Sequence, residues 1–240
     1  MRTIGLLGGM SWESTAVYYR RINEQVRDRL GGLHSAEVLM RSVNFDGIVG
    51  LQQANEWDQA GQVLSRLARD LERAGAACIL ICTNTMHKLA DTVQSAVSVP
   101  LLHIADVTAD AVKQAGARRP ILLATRYTME QDFYLSRLRE KYQLDPLVPD
   151  AEDRTVVHQT IFDELCQGIV RDSSRQHFKE IIARGRARGA DSVILGCTEI
   201  GLLIGAKDID LPMFDSTLIH ADTAVDFSLA QNGTPRLNAA

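Results

Sequence analysis

A chain of 240 residues with 45% hydrophobic content suffices for one large α/β domain or two of about 110 to 120 residues, each able to bury a core. Its formal charge of −4, with no Lys/Arg cluster interleaved with aromatics, excludes a basic face for nucleic acid. No apolar run approaches the roughly 20 residues of a membrane span, and Met1-Arg2 leads straight to the glycine turn Gly8-Gly9 instead of a signal segment. A cytoplasmic protein without membrane or nucleic-acid partners is expected. Its cysteines, Cys78, Cys82, Cys166 and Cys197, contain no CxxC pair and are expected to be thiols of a reducing compartment, not zinc ligands.

Along the chain, strand-like apolar runs alternate with amphipathic stretches, the pattern of a parallel α/β sheet. Strands are expected at residues 3–7, 37–43, 77–82, 100–104, 120–124, 144–148, 191–196 and 211–214. Helices are expected at residues 12–29, 57–74, 86–95, 106–115, 129–142, 153–168, 173–188 and 217–229. Residues 231–240, with Asn, Gly, Pro and Thr, are expected to fray.

An internal repeat organises these elements. Ala74-Gly75-Ala76 leads to Thr83-Asn84-Thr85 as Arg188-Gly189-Ala190 leads to Cys197-Thr198-Glu199, eight residues from glycine to polar residue in both. Leu6-Leu7-Gly8-Gly9-Met10 pairs with Leu122-Leu123-Ala124-Thr125-Arg126; 74 residues then separate Gly9 from Thr83 and 72 separate Thr125 from Cys197. The repeat predicts two pseudo-symmetric α/β lobes, each a parallel sheet flanked by helices: residues 1–103 plus 211–240, and residues 104–210. It also puts Thr83 and Cys197 on opposite sides of a cleft between the lobes.

Cys197 ends the apolar run 191–196 and so falls at the C-terminal edge of a buried strand, where open α/β sheets place ligands. A helix starting at Thr198-Glu199 would turn free N–H groups toward it and favour a thiolate; the alternative is a small buried hydrophobe. Asn84, Thr85 and Thr198 are short polar residues at expected helix starts, suited to a carboxylate, with Thr125 and Thr128 as a further hydroxyl pair; plain N-capping is the alternative for each. Two facing groups suit a reaction that removes a proton from one face of a carbon and returns one to the other. A Rossmann nucleotide site is disfavoured because Gly5-Leu6-Leu7-Gly8-Gly9 lacks the Gly-x-Gly-x-x-Gly spacing.

Gly8-Gly9-Met10-Ser11-Trp12-Glu13-Ser14-Thr15, Thr83-Asn84-Thr85-Met86-His87, Leu123-Ala124-Thr125-Arg126-Tyr127-Thr128 and Gly196-Cys197-Thr198-Glu199-Ile200 together resemble the motifs of the aspartate/glutamate racemase family, in order, over residues 3–229. The resemblance implies a pyridoxal-phosphate-independent racemase with its site between two lobes and a cysteine on each face of the substrate's α-carbon. It also implies a small amino-acid substrate; since no pyridoxal lysine or metal cluster is evident, no cofactor or metal is expected, and a homodimer is expected. The second cysteine motif is intact at Cys197; the first, Cys-Asn-Thr in the family, reads Thr83-Asn84-Thr85. Cys82 precedes Thr83, and since strand side chains alternate it should point to the other face, into the core.

A thiol has a pKa of about 8.5 and a hydroxyl one near that of water, a gap of about 7 units or on the order of 10 kcal/mol. Thr83 can therefore donate or relay a proton far more readily than it can take one. In the family the second cysteine takes the α-proton of the L-enantiomer. The expectation is that Cys197 deprotonates an L-amino acid and Thr83, directly or through water, serves the other face, with L-to-D turnover favoured. By resemblance Met10, Gln52, Asn84, Thr85, Thr125 and Thr198 bind substrate. Gln159 stands where aspartate-specific relatives carry a basic residue, which leaves Arg41 and Arg126 as candidate cations and broad specificity for neutral amino acids as the alternative. A one-cysteine decarboxylase or isomerase, or a non-catalytic binding protein, are further alternatives. His87, His103 and His220 read as structural. Glu199 beside Cys197 would raise the thiol pKa unless it accepts the proton.

Overall fold

Strand β1 (Ile4–Gly8) is buried from end to end and lies at the centre of a three-stranded parallel sheet, between β2 (Val38–Ser42) and β3 (Cys78–Ile81). Ile4 pairs with Val38 on one side and Cys78 on the other. The computed structural model describes residues 1–230, so the stretch expected to fray lies outside the described residues. Helix α1 (Trp12–Leu30) begins where the Ser11 hydroxyl accepts the Ser14 N–H, and it buries the stripe Tyr18, Ile22 and Val26. Helix α2 (Phe45–Gln53), capped by Asn44, was not anticipated: Gly47 and Gly50 dilute its apolar pattern. Helix α3 (Trp57–Arg73) buries Ala60, Leu64, Ala68 and Leu71, and a 3-10 turn at Thr85–Leu89 leads into the short α4 (Ala90–Gln94).

The second sheet has the order β4-β5-β6, all parallel. Helix α5 (Ile104–Gln114) precedes β4 (Pro120–Ala124); its N-terminus is capped by His103, whose Nδ1 accepts the Ala105 N–H. Because that helix starts at Ile104, the strand expected at residues 100–104 shrinks to a single bridge, Leu101 to Ile79. Residues 144–148 likewise contribute one bridge, Leu147 to Ile121. The helix expected at residues 129–142 is broken into α6 (Arg126–Glu130), α7 (Asp132–Ser136) and a π-helical turn, Arg137–Lys141, with Gln131 extended between the first two. Then follow α8 (Ala151–Asp163), a 3-10 turn at Leu165–Gln167, α9 (Asp172–Ala187), β5 (Ser192–Gly196), the four-residue α10 (Ile200–Leu203), β6 (Met213–Asp215) and α11 (Ser216–Leu229).

The two repeat glycines end equivalent helices. Gly75 and Gly189 have φ of +104° and +93°, and the next N–H turns back to the helix in both, Ala76 to Leu71 O and Ala190 to Gly185 O. This is the hydrogen-bond pattern by which a helix stops before a strand, and it needs a residue without Cβ strain.

Among the described residues the chain divides into two units: residues 1–82 with 89–102 and 220–230, and residues 83–88 with 103–219. The division expected from the repeat differs in two places. The segment Thr83–Lys88 groups with the second unit, and the C-terminal strand does not return to the first sheet, because Ile194 and Leu195 of β5 pair with Phe214 and Asp215. Each unit has its own core, one around Ile4, Leu6, Tyr18, Leu80 and Val225, the other around Ile121, Leu123, Phe178, Ile194 and Leu203. No helix among the described residues is long and apolar enough to cross a membrane.

In the second unit Asp106 on α5 accepts hydrogen bonds from Arg137 and Lys141 of the π-helical turn. Burial opposes its ionisation, but these two cations outweigh burial and hold the carboxyl well below the usual carboxylate range. A depressed folded pKa gives stability that is present above about pH 4, the unfolded value, and lost as pH falls toward the folded one. Asp106→Asn should therefore lower the Tm at neutral pH and flatten its decline in acid. An unchanged acid limb in thermal melts of the variant would assign that decline to other groups.

Candidate active site

The ladder of the second sheet positions the site. Ala124 pairs with Gly196 and Leu195 with Asp215, so Thr125, Cys197 and Ser216 each follow directly on the C-terminal ends of their strands. The segment after β3 joins them: Thr85 Oγ1 lies 2.8 Å from Thr125 Oγ1 and 3.3 Å from Thr128 Oγ1. Asn84 Nδ2 donates to Ser216 Oγ at 3.0 Å, and Ser216 Oγ donates to the Leu195 carbonyl at 2.7 Å. The second unit thus holds Thr83, Asn84, Thr85, Thr125, Cys197 and Thr198 in one assembly of loops. Met10 and Gln52 are buried in the first unit.

These short polar side chains bond one another instead of capping helices. Thr125 starts α6 without a side-chain cap. Ser216 spends its proton on Leu195 O, so it must accept from the Asn84 amide, and this orients the amide. Asn84 Oδ1 is then a buried acceptor without a partner among the described residues, and Thr217 Oγ1 is likewise buried and unpartnered. A buried unsatisfied acceptor costs about 1–3 kcal/mol, and a ligand N–H would relieve that cost at Asn84. Thr83 itself is half-buried.

At Cys197 the structure corrects the expected thiolate. Helix α10 begins only at Ile200 and has four residues, so it offers little dipole. Cys197 Sγ instead donates to Glu199 Oε2 at 3.0 Å, and Thr198 Oγ1 donates to the same oxygen at 2.6 Å. Burial foremost, then the charges of Glu199 and Cys166, push the thiol pKa well above its ordinary value. At rest Cys197 is a protonated thiol. The Thr198 hydroxyl, expected to hold a carboxylate, has its proton committed to Glu199.

Cys82 is fully buried in the core of the first unit, with burial driving its thiol pKa up. His87 Nδ1–H donates to Thr83 O at 2.8 Å, while its Nε2 accepts the Ile104 N–H at 3.1 Å. These two bonds make the ring a brace for the Thr83 loop. In the first unit His220 Nδ1 lies 2.8 Å from the Tyr18 hydroxyl and Nε2 lies 2.8 Å from Leu102 O. Gln159 and Arg126 are exposed, and Arg41 is a surface charge 3.9 Å from Asp70. Sequence reasoning missed Ser216 and Thr217, although they follow an apolar strand as Thr125 does. It also missed Lys88, a half-buried cation eclipsing Thr85 on the 3-10 turn and bonded to Gln131.

The family profile described as Asp/Glu/Hydantoin racemase matches residues 7–224. A Yersinia pestis protein, solved as a candidate Asp/Glu racemase, is 50% identical and superposes with a TM-score of 0.90 over 96% of this chain and 100% of that one. An aspartate racemase homologue from Pyrococcus horikoshii OT3 is 34% identical, with a TM-score of 0.84 over 95% and 99% of the two chains. The broad specificity amino-acid racemase RacX of Bacillus subtilis (strain 168) is 23% identical over 235 residues, 95% of this chain and 98% of that one. With the profile spanning nearly all its residues, and two parallel α/β sheets shared with these structures, the chain belongs to the Asp/Glu/hydantoin racemase family and is an isomerase.

Proposed function

We propose that the chain racemises aspartate and glutamate, with Cys197 as the group that removes the α-proton from the L-enantiomer and Thr83, backed by water, as the donor on the opposite face. The observation that carries this reading is the polar assembly of the second unit, which holds a buried thiol and the Thr83-Asn84-Thr85 loop on adjoining strand ends. The unpartnered Asn84 Oδ1 suits the α-ammonium, a donor, better than the α-carboxylate, an acceptor. The hydroxyls of Thr85 and Thr125 suit the carboxylate. Thr83 makes the reaction kinetically lopsided, because a hydroxyl is a far weaker base than a thiol and serves the D-enantiomer poorly. The equilibrium between enantiomers is unaffected; the asymmetry lies in kcat and KM.

A second reading, broad specificity toward neutral amino acids, is favoured by the exposure of Gln159, Arg126 and Arg41, which leaves them poorly placed to pair with a distal carboxylate, and by the likeness to RacX. Proton NMR in D₂O tests both readings. The wild-type chain should erase the α-proton signal of L-aspartate and L-glutamate faster than that of the D-forms, and Thr83→Cys should raise D-form exchange at least about tenfold, within the range for adding an acid–base group. No gain in that variant removes Thr83 from the opposite face. Exchange confined to neutral amino acids replaces the acidic reading with the broad one.

A further inference from the structure

Glu199 is buried two residues beyond the thiol, and one of its oxygens receives both neighbouring protons, from Cys197 at 3.0 Å and from Thr198 at 2.6 Å. The two bonds are chemically unequal. A threonine hydroxyl is about as weakly acidic as water, so it stays protonated and serves to anchor the carboxylate. A thiol, near 8.5 when unperturbed, is the one whose proton can move. Thr198 thus fixes an acceptor against Sγ, and burial keeps solvent from competing for it.

We propose that Glu199 is the positioning residue that converts Cys197 from thiol to base, taking the thiol proton once substrate is bound and holding it while the sulfur reacts. The inference rests on Cys197 being the base for the L-enantiomer. The Sγ–H bond breaks with its electron pair left on sulfur, and an Oε2–H bond forms. The thiolate then takes the α-proton, and the pair of the broken C–H bond stays on the α-carbon, delocalised into the substrate's carboxylate. After reprotonation from the Thr83 side, Glu199 carries one proton more and that side one fewer than at the start. Exchange with water restores both.

The surroundings explain why the proton moves only on demand. Two acids act on the thiol, Glu199 at 3.0 Å and Cys166 on the Leu165–Gln167 turn. Each is an acid whose ionised form opposes a thiolate, while Arg175 on α9 is engaged with Leu203 O and Asp208. A substrate ammonium entering beside Cys197 brings the missing positive charge.

The test compares Glu199→Gln and Glu199→Asp with the wild-type chain in two assays: iodoacetamide alkylation of Cys197, followed at the peptide level across a pH series, and α-hydrogen exchange of L-aspartate and L-glutamate in D₂O. Glutamine keeps an acceptor oxygen but can take no proton. It should speed alkylation at neutral pH about tenfold, as the opposing charge is lost, yet slow exchange at least about 100-fold. Aspartate should restore part of the exchange. If glutamine speeds both, the carboxylate merely suppresses the thiolate and the proposal falls. It falls equally if exchange is lost with alkylation unchanged and aspartate gives no rescue, the mark of a structural role. A wild-type chain that exchanges neither amino acid would sink the racemase assignment instead, while the alkylation profiles still report whether Glu199 holds the thiol proton.

Discussion

Cys197→Ala is expected to reduce α-hydrogen exchange from L-substrates at least about 10³-fold, the range for removing an essential acid–base group. The thiol directly follows β5, and among the surrounding groups the threonine hydroxyls have protons too weakly acidic to leave a base at neutral pH. Glu199 is anchored by Thr198 and remains in place when the sulfur is removed. Cys197→Ser should be nearly as inactive, because its hydroxyl lies about 7 units above a thiol in pKa. Stability should change little, since the substitution deletes one buried atom. The measurement is the NMR exchange assay together with a thermal melt. A variant with an unchanged Tm and more than a tenth of wild-type exchange would show that Cys197 is not the base.

The largest expected loss of stability comes from Gly9→Ala. Gly9 has φ +85°, and a Cβ there would sit 2.4 Å from Val43 O and 2.5 Å from Val43 N. Both are backbone atoms held to the sheet, since Val43 N–H donates to Gly8 O, so neither yields cheaply. Positive φ and overpacking together should cost on the order of 3 kcal/mol or more. Gly168→Ala is the control: it sits in the left-handed helical region, φ +72° and ψ +14°, yet nothing lies within 4 Å of the added Cβ, so only the backbone term of about 1 kcal/mol applies. Urea unfolding with unchanged m should separate the two. Equal midpoints for both variants would mean that the loop at Gly9 moves aside freely. The contrast gives the Gly8-Gly9 motif a steric origin, and the Gly9 N–H bond to Thr15 Oγ1 at 2.8 Å closes the turn.

Much of this protein is set by residues that are close neighbours in the chain. The alternation of apolar runs and amphipathic stretches predicts β1, β3, β4 and β5 nearly to the residue, because a buried parallel strand is a short apolar run wherever it lies. The glycine repeat likewise marks two equivalent helix ends, since a positive φ is a local demand met by a local residue.

Other features depend on partners far apart in sequence. β6 joins β5 and not the first sheet, a choice between two apolar surfaces that a three-residue strand cannot record. Asn84 finds Ser216 across 132 positions, and only that bond shows which end of the amide is left without a partner among the described residues. Glu199 lies two residues from Cys197, yet that its Oε2 receives the thiol's hydrogen bond depends on how tightly the loop turns after β5. Sequence determined which groups are present and where the chain turns; tertiary structure decided which atoms meet, because hydrogen-bond geometry and burial are properties of space and not of spacing.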